Sequence, residues 1–80
     1  MTRRYWKIDD GAQLLVELDE PTKTYYFALS GDGTWADGVA MATDYVDSGE
    51  RGAVQIQEPA ARALAEKLGS SLDAMPALPA

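Results

Sequence analysis

Polar and apolar residues alternate in three stretches of the first thirty positions. In Arg4-Tyr5-Trp6-Lys7-Ile8, Trp6 and Ile8 fall on one face and Tyr5 and Lys7 on the other, the two-residue period of a strand. Leu14-Leu15-Val16-Glu17-Leu18 repeats the pattern, with Leu14, Val16 and Leu18 on one side. Asp9-Asp10-Gly11 lies between them, and Asp-Gly is a hairpin-turn signal, so the two segments are expected to pair antiparallel. The polar, Pro-marked loop Asp19-Glu20-Pro21-Thr22-Lys23 follows. Thr24-Tyr25-Tyr26-Phe27-Ala28-Leu29 is the segment richest in β-formers, with Tyr25, Phe27 and Leu29 sharing a face. Ser30-Gly31-Asp32-Gly33 ends it with two permissive glycines.

The period then changes. Trp35, Val39, Ala42 and Val46 recur at steps of four, three and four, which is helical spacing. Asp37 near the start suits the positive end of a helix dipole, and Gly49 suits a C-terminal cap. Gly38 opposes a helix, and Thr43, Tyr45 and Val46 also suit a strand. A helix from about Asp37 to Asp47 is favoured, with a strand as the alternative. Ala53-Val54-Gln55-Ile56-Gln57 reads as a short strand. A second helix opens at Glu58-Pro59, where Pro at the first helical position would make Glu58 the N-cap. Ala61, Leu64, Ala65 and Leu68 form its apolar stripe, and Gly69 closes it.

Strand, strand, strand, helix, strand, helix is an α+β order. The expected architecture is a small antiparallel sheet, a three-stranded meander plus a short later strand, with two helices packed on one face. That face would carry Trp6, Ile8, Leu14, Val16, Leu18, Tyr25, Phe27 and Leu29. The other, mixed face would carry Tyr5, Lys7, Leu15, Glu17, Tyr26 and Ala28, partly exposed or used by a partner. Residues 1–69 form one domain, and residues 70–80, with Ser-Ser and two prolines but no periodicity, read as a flexible C-terminal tail.

Charge adds an asymmetry. Ten of the thirteen carboxylates lie between Asp9 and Glu50, where Lys23 is the one basic residue, and the whole chain carries a formal charge of −6. The absence of Cys and His excludes disulfides, thiolate ligands and the commonest general base, and mildly favours a reducing, cytoplasmic setting. The longest apolar runs fall short of the ~20 residues of a membrane span, so no membrane role is expected. Asp9-Asp10 and Asp19-Glu20 are adjacent acids at turns, explained by turn chemistry without catalysis. Asp32, Gly33 and Asp37 lack the ligand spacing of a calcium loop. Ser30-Gly31-Asp32-Gly33-Thr34 lacks the lysine of a phosphate loop, and its acids repel phosphate. No catalytic residue, metal or cofactor is expected.

Direct nucleic-acid binding requires a basic stripe, and only Arg3, Arg4 and Lys7 cluster. A carboxylate-dotted surface suits the inverse role, imitating a phosphate backbone for a basic protein; charge serving solubility alone is the plainer account. The leading expectation is a non-enzymatic acidic interaction module, an adaptor or an antitoxin-, immunity- or phage-inhibitor-like protein of bacterial or phage origin. Its partner would be a protein with a basic surface, met by Asp32, Trp35, Asp37, Asp44, Asp47, Glu50 and Tyr26. Two alternatives stand beside it. One is an assembly module that self-associates, as a homodimer or larger, through a sheet edge or the face of Tyr5, Leu15 and Tyr26. The other is an accessory domain that binds a small ligand.

Overall fold

A computed structural model describes residues 2–47 and 52–76. Strands β1 (Thr2–Ile8), β2 (Gln13–Asp19), β3 (Thr24–Leu29), β4 (Trp35–Asp37) and β5 (Ala53–Ile56) form one antiparallel sheet in the order β4-β3-β2-β1-β5. Helix α1 (Val39–Met41) runs on as π-helical turns over Ala42–Asp47, and α2 spans Glu58–Lys67. The α+β class, the meander of β1, β2 and β3 and the later strand β5 are as read from the sequence. The short strand β4 is additional: Trp35 and Asp37 belong to the sheet, and the helical segment begins at Val39.

Which residues share a face differs from expectation, and the cause is the length of the first hairpin loop. Ile8 pairs with Gln13, so the connection is the four residues Asp9 to Ala12. Residues directly opposite each other point to the same side of a sheet. An even loop sets odd positions opposite even ones, so Trp6 stands across from Leu15 and Tyr5 across from Val16. Trp6 and Ile8 therefore lie with Leu15 and Ala28, and Tyr5 lies with Leu14, Val16, Leu18 and Leu29. The loop turns through left-handed backbone at Asp9, Asp10 and Gly11, with φ of 49°, 59° and 100°, a region Asp tolerates better than most residues. It is held from outside. The Asp9 amide donates to the Gly52 carbonyl at 2.8 Å, and the Asp9 carboxylate accepts from the Tyr45 hydroxyl at 3.2 Å.

The register leaves large apolar side chains on both faces, and each face needs a cover. Helix α2 lays Ala61, Leu64 and Ala65 over the Tyr5, Leu14, Val16 and Leu18 side. The segment after β4 lays Ala42 over Trp6, Ile8, Leu15 and Ala28, with Met41 and Tyr45 at the margin. The helices thus lie on opposite faces rather than on one. Five consecutive β2 residues, Leu14 to Leu18, are buried, as befits the central strand of a three-layer arrangement. Each of its fully buried aliphatic side chains contributes about 1.5–3 kcal/mol of transfer free energy. Tyr5 and Leu15 are both buried, on opposite faces, so the exposed face expected for Tyr5, Leu15 and Tyr26 does not form. Glu17, 6% exposed, is matched by an ion pair with Arg4 directly across the strands.

Helix α2 begins one residue earlier than expected. Gln57 is the N-cap, which places Glu58 and Pro59 in the first turn, where an acid favours the helix dipole and Pro lacks only an amide that the helix would leave unpaired. At the far end the Gly69 amide donates to the Glu66 carbonyl and the Ser70 amide to the Ala65 carbonyl, both at 3.0 Å. This is the Schellman closure, with Gly69 at φ 90°. The chain then stays on the domain. A 3₁₀ turn over Leu72–Ala74 buries Leu72, and Met75 packs on the same core. Of the residues expected in a flexible tail, Ser70, Leu72 and Met75 thus contact the domain, because two apolar side chains three residues apart find the rim of the α2 core, while Asp73, Ala74 and Pro76 are exposed; residues 77–80 lie outside the described residues.

Candidate functional site

Strand β3 is six residues long, but β4 pairs only with its last three, Phe27 to Leu29. The chain then leaves the sheet at Gly38. The Gly38 amide donates to the Tyr26 carbonyl at 2.9 Å, the Gly38 carbonyl accepts from the Ala42 amide at 2.9 Å, and the Asp37 carboxylate accepts from the Val39 amide at 3.3 Å. These bonds turn the backbone onto the Trp6 and Leu15 face. Glycine suits the turn because the approach is close. A Cβ at position 38 would meet Leu15 Cδ1 at 2.7 Å and the backbone at Ala28 N and Phe27 C at 3.1 Å.

The first half of β3 is consequently not flanked by β4, and a cleft of about 340 Å³ opens there. It is lined by Lys23, by Thr24 to Phe27 of β3, and by Asp37 and Val39 on either side of the exit turn. The Lys23 ammonium stands 5.0 Å from the centre of the Tyr25 ring, a cation–π distance. Val39 is 50% exposed, one of two large hydrophobic side chains open to solvent among the described residues. The cleft therefore combines aromatic and aliphatic walls with one carboxylate and one ammonium, a lining suited to holding an apolar group and orienting charges beside it.

Of the residues singled out from the sequence, Tyr26 and Asp37 come together here. Asp44 is exposed on the π-helical turns that continue from Val39. Asp32 and Trp35 are elsewhere. Asp32 sits in the β3–β4 turn, where its carboxylate accepts from the Thr34 amide at 3.0 Å. The Trp35 indole packs on the α2 core and donates to the Ser70 hydroxyl at 3.1 Å, bracing β4 against the segment after α2. Glu50 lies outside the described residues, as does the side chain of Asp47. Sequence reading missed Lys23, Thr24, Tyr25, Phe27 and Val39 as a group. The available signal was the aromatic run itself, longer than one buried face requires.

Two further acids of the middle segment have local partners. Asp10 lies 3.9 Å from the Lys7 ammonium, and the Asp19 carboxylate accepts from the Thr24 hydroxyl at 3.2 Å. Among the described residues no three acids converge to hold a metal ion, and no helix is long and apolar enough to cross a membrane. Set against models of known protein families, curated proteins and solved structures, the chain matches none.

Proposed function

We propose that this protein is a non-enzymatic interaction module that docks on a basic protein surface, with the Tyr26–Asp37 cleft and the exposed Asp44 of the helical turns after Val39 as its contact region. The observation that carries the reading is the meeting of Tyr26, Val39 and Asp37 at one cleft in a chain of formal charge −6. Aromatic side chains in a pocket supply the desolvated anchor of an interface. Carboxylates around it raise the rate of encounter with a cationic partner and reject anionic ones. Asp37 accepts one backbone amide, and a carboxylate has acceptor capacity beyond one hydrogen bond, so it serves the turn and a partner cation together. An inhibitor that occupies the phosphate-binding groove of a nucleic-acid-handling protein is the specific form that fits a chain of this net negative charge.

The test is affinity capture from the source cell, followed by binding measurements on the purified partner across NaCl concentration. Exposed charge pairs weaken as the Debye length falls from about 10 Å at 0.1 M toward 3 Å at 1 M. The reading requires association to slow as salt rises, and to slow further when Asp37 and Asp44 are both replaced by Asn. Binding indifferent to salt and to both substitutions removes it.

A further inference from the structure

The cleft also has a backbone wall. Glu20 and Lys23 exchange both amide–carbonyl bonds, at 3.0 and 3.4 Å, which fixes the phase of the β2–β3 ladder. In an antiparallel ladder such pairs alternate, so Lys23, Tyr25, Phe27 and Leu29 turn their backbone groups toward β2. Thr24, Tyr26 and Ala28 turn theirs toward the outer edge. The Tyr26 carbonyl confirms the phase, because it accepts from Gly38 on that outer side. The Thr24 amide and carbonyl thus face the cleft, in line with the end of β4.

We infer that this edge takes an extended peptide segment of the partner, which adds to β3 as a strand continuing β4. The inference rests on the interaction reading and names how the partner is held. Two properties of the occupant follow from the lining. A strand in line with β4 runs antiparallel to β3, so its N-terminal end lies beside Asp37 and its C-terminal end beside Lys23. The recognised segment therefore carries a basic residue first, a short apolar run that meets the largely apolar cleft lining, and an acidic residue last. Main-chain bonds to Thr24 supply attachment, and side-chain pockets supply selection, as in strand addition generally.

The test uses the full chain, ¹⁵N-labelled, titrated with blocked synthetic pentapeptides. The probes are acetyl-Lys-Val-Val-Val-Glu-amide, its charge-reversed counterpart acetyl-Glu-Val-Val-Val-Lys-amide, and the first peptide N-methylated at alternating amides in either phase. The expected result is amide shift changes confined to Thr24–Phe27 and Asp37–Val39. The first peptide should bind roughly two- to fivefold more tightly than the reversed one, the range that exposed ion pairs provide. One N-methylation phase should abolish the changes while the other leaves them, since only alternate amides meet β3. Three results of the titration overturn the inference: no shifts at millimolar peptide, shifts centred on β5 or another surface, or equal binding of both N-methylated forms. Concentration-dependent broadening of Thr24–Phe27 without peptide also overturns it, because a second copy of the chain would then hold the edge. If the peptides bind but the captured partner shows no salt dependence, the interaction reading fails alone. If the partner binds with the required salt dependence and the peptides do not, strand addition fails alone.

Discussion

Replacing Gly38 by Ala probes the point where the chain leaves the sheet and shapes the cleft. The backbone there, φ −105° and ψ 12°, is open to any residue, so the cost is steric. The added methyl meets Leu15 Cδ1 at 2.7 Å, and the Ala28 nitrogen and Phe27 carbonyl carbon at 3.1 Å. Leu15 has no exposed surface and little room to rotate away, and the two backbone atoms belong to a paired strand. With a 2.7 Å approach to a fully buried side chain, overpacking should cost about 2–2.5 kcal/mol of its usual 1–3 kcal/mol range, less about 0.4–1 kcal/mol from the stiffer unfolded chain, for a net loss of roughly 1–2 kcal/mol. Urea unfolding followed by tryptophan fluorescence is a direct assay, because Trp6 packs in the same core as Leu15. With a slope near 1 kcal/mol per M for a small protein, the midpoint should fall by about 1–2 M. In the Gly38→Ala, Leu15→Ala double variant the loss should be smaller than the sum of the single losses by at least about 0.5 kcal/mol, the coupling typical of touching residues. A Gly38→Ala protein within 0.5 kcal/mol of the parent, or more stable, refutes the close packing of the exit turn.

Three further substitutions have defined outcomes. Leu72→Ala should lower stability by about 2–5 kcal/mol, as for other buried leucines, measured by thermal unfolding; a change under 0.5 kcal/mol would mean that the segment after α2 is not part of the core. Gly69→Ala should cost about 1–2 kcal/mol, from the left-handed backbone alone, since nothing lies within 4 Å of the added methyl, and Gly69→Asn should cost less. Arg4→Ala should cost more than Arg3→Ala in urea unfolding, because it strips the buried Glu17 of its cation; since Arg4 is itself 45% exposed, the loss should fall below the roughly 3–5 kcal/mol of a fully buried pair, and equal losses at the two arginines would contradict the pairing.

Local signals read well from the sequence, and relations between elements read poorly. Alternation placed β1, β2 and β3, and the stripe from Ala61 to Leu68 with Gly69 placed α2, because these patterns are set by neighbours in the chain. The faces were misread because one residue in a hairpin loop inverts them, and Asp-Gly marks a turn without fixing its length. Leu14-Leu15-Val16 offers no correction, since a strand buried on both sides is apolar throughout. Trp35 and Val39 are four apart across Gly38, which imitates a helix although one residue is in a strand and the other in a helix. Leu72 and Met75 span less than one turn and show no period. The cleft was not legible at all: it exists because β4 is half the length of β3, a mismatch between strands that no single segment records. Tyr26 and Asp37 were identified separately, by residue type, without the geometry that joins them.

The most direct test of the account is amide hydrogen exchange on the protein alone and saturated with its captured partner. The account predicts added protection concentrated at Thr24–Phe27 and Asp37–Val39, with exchange on α2 little changed. Protection of α2 or β5 instead, with the cleft exchanging as in the free protein, would contradict it.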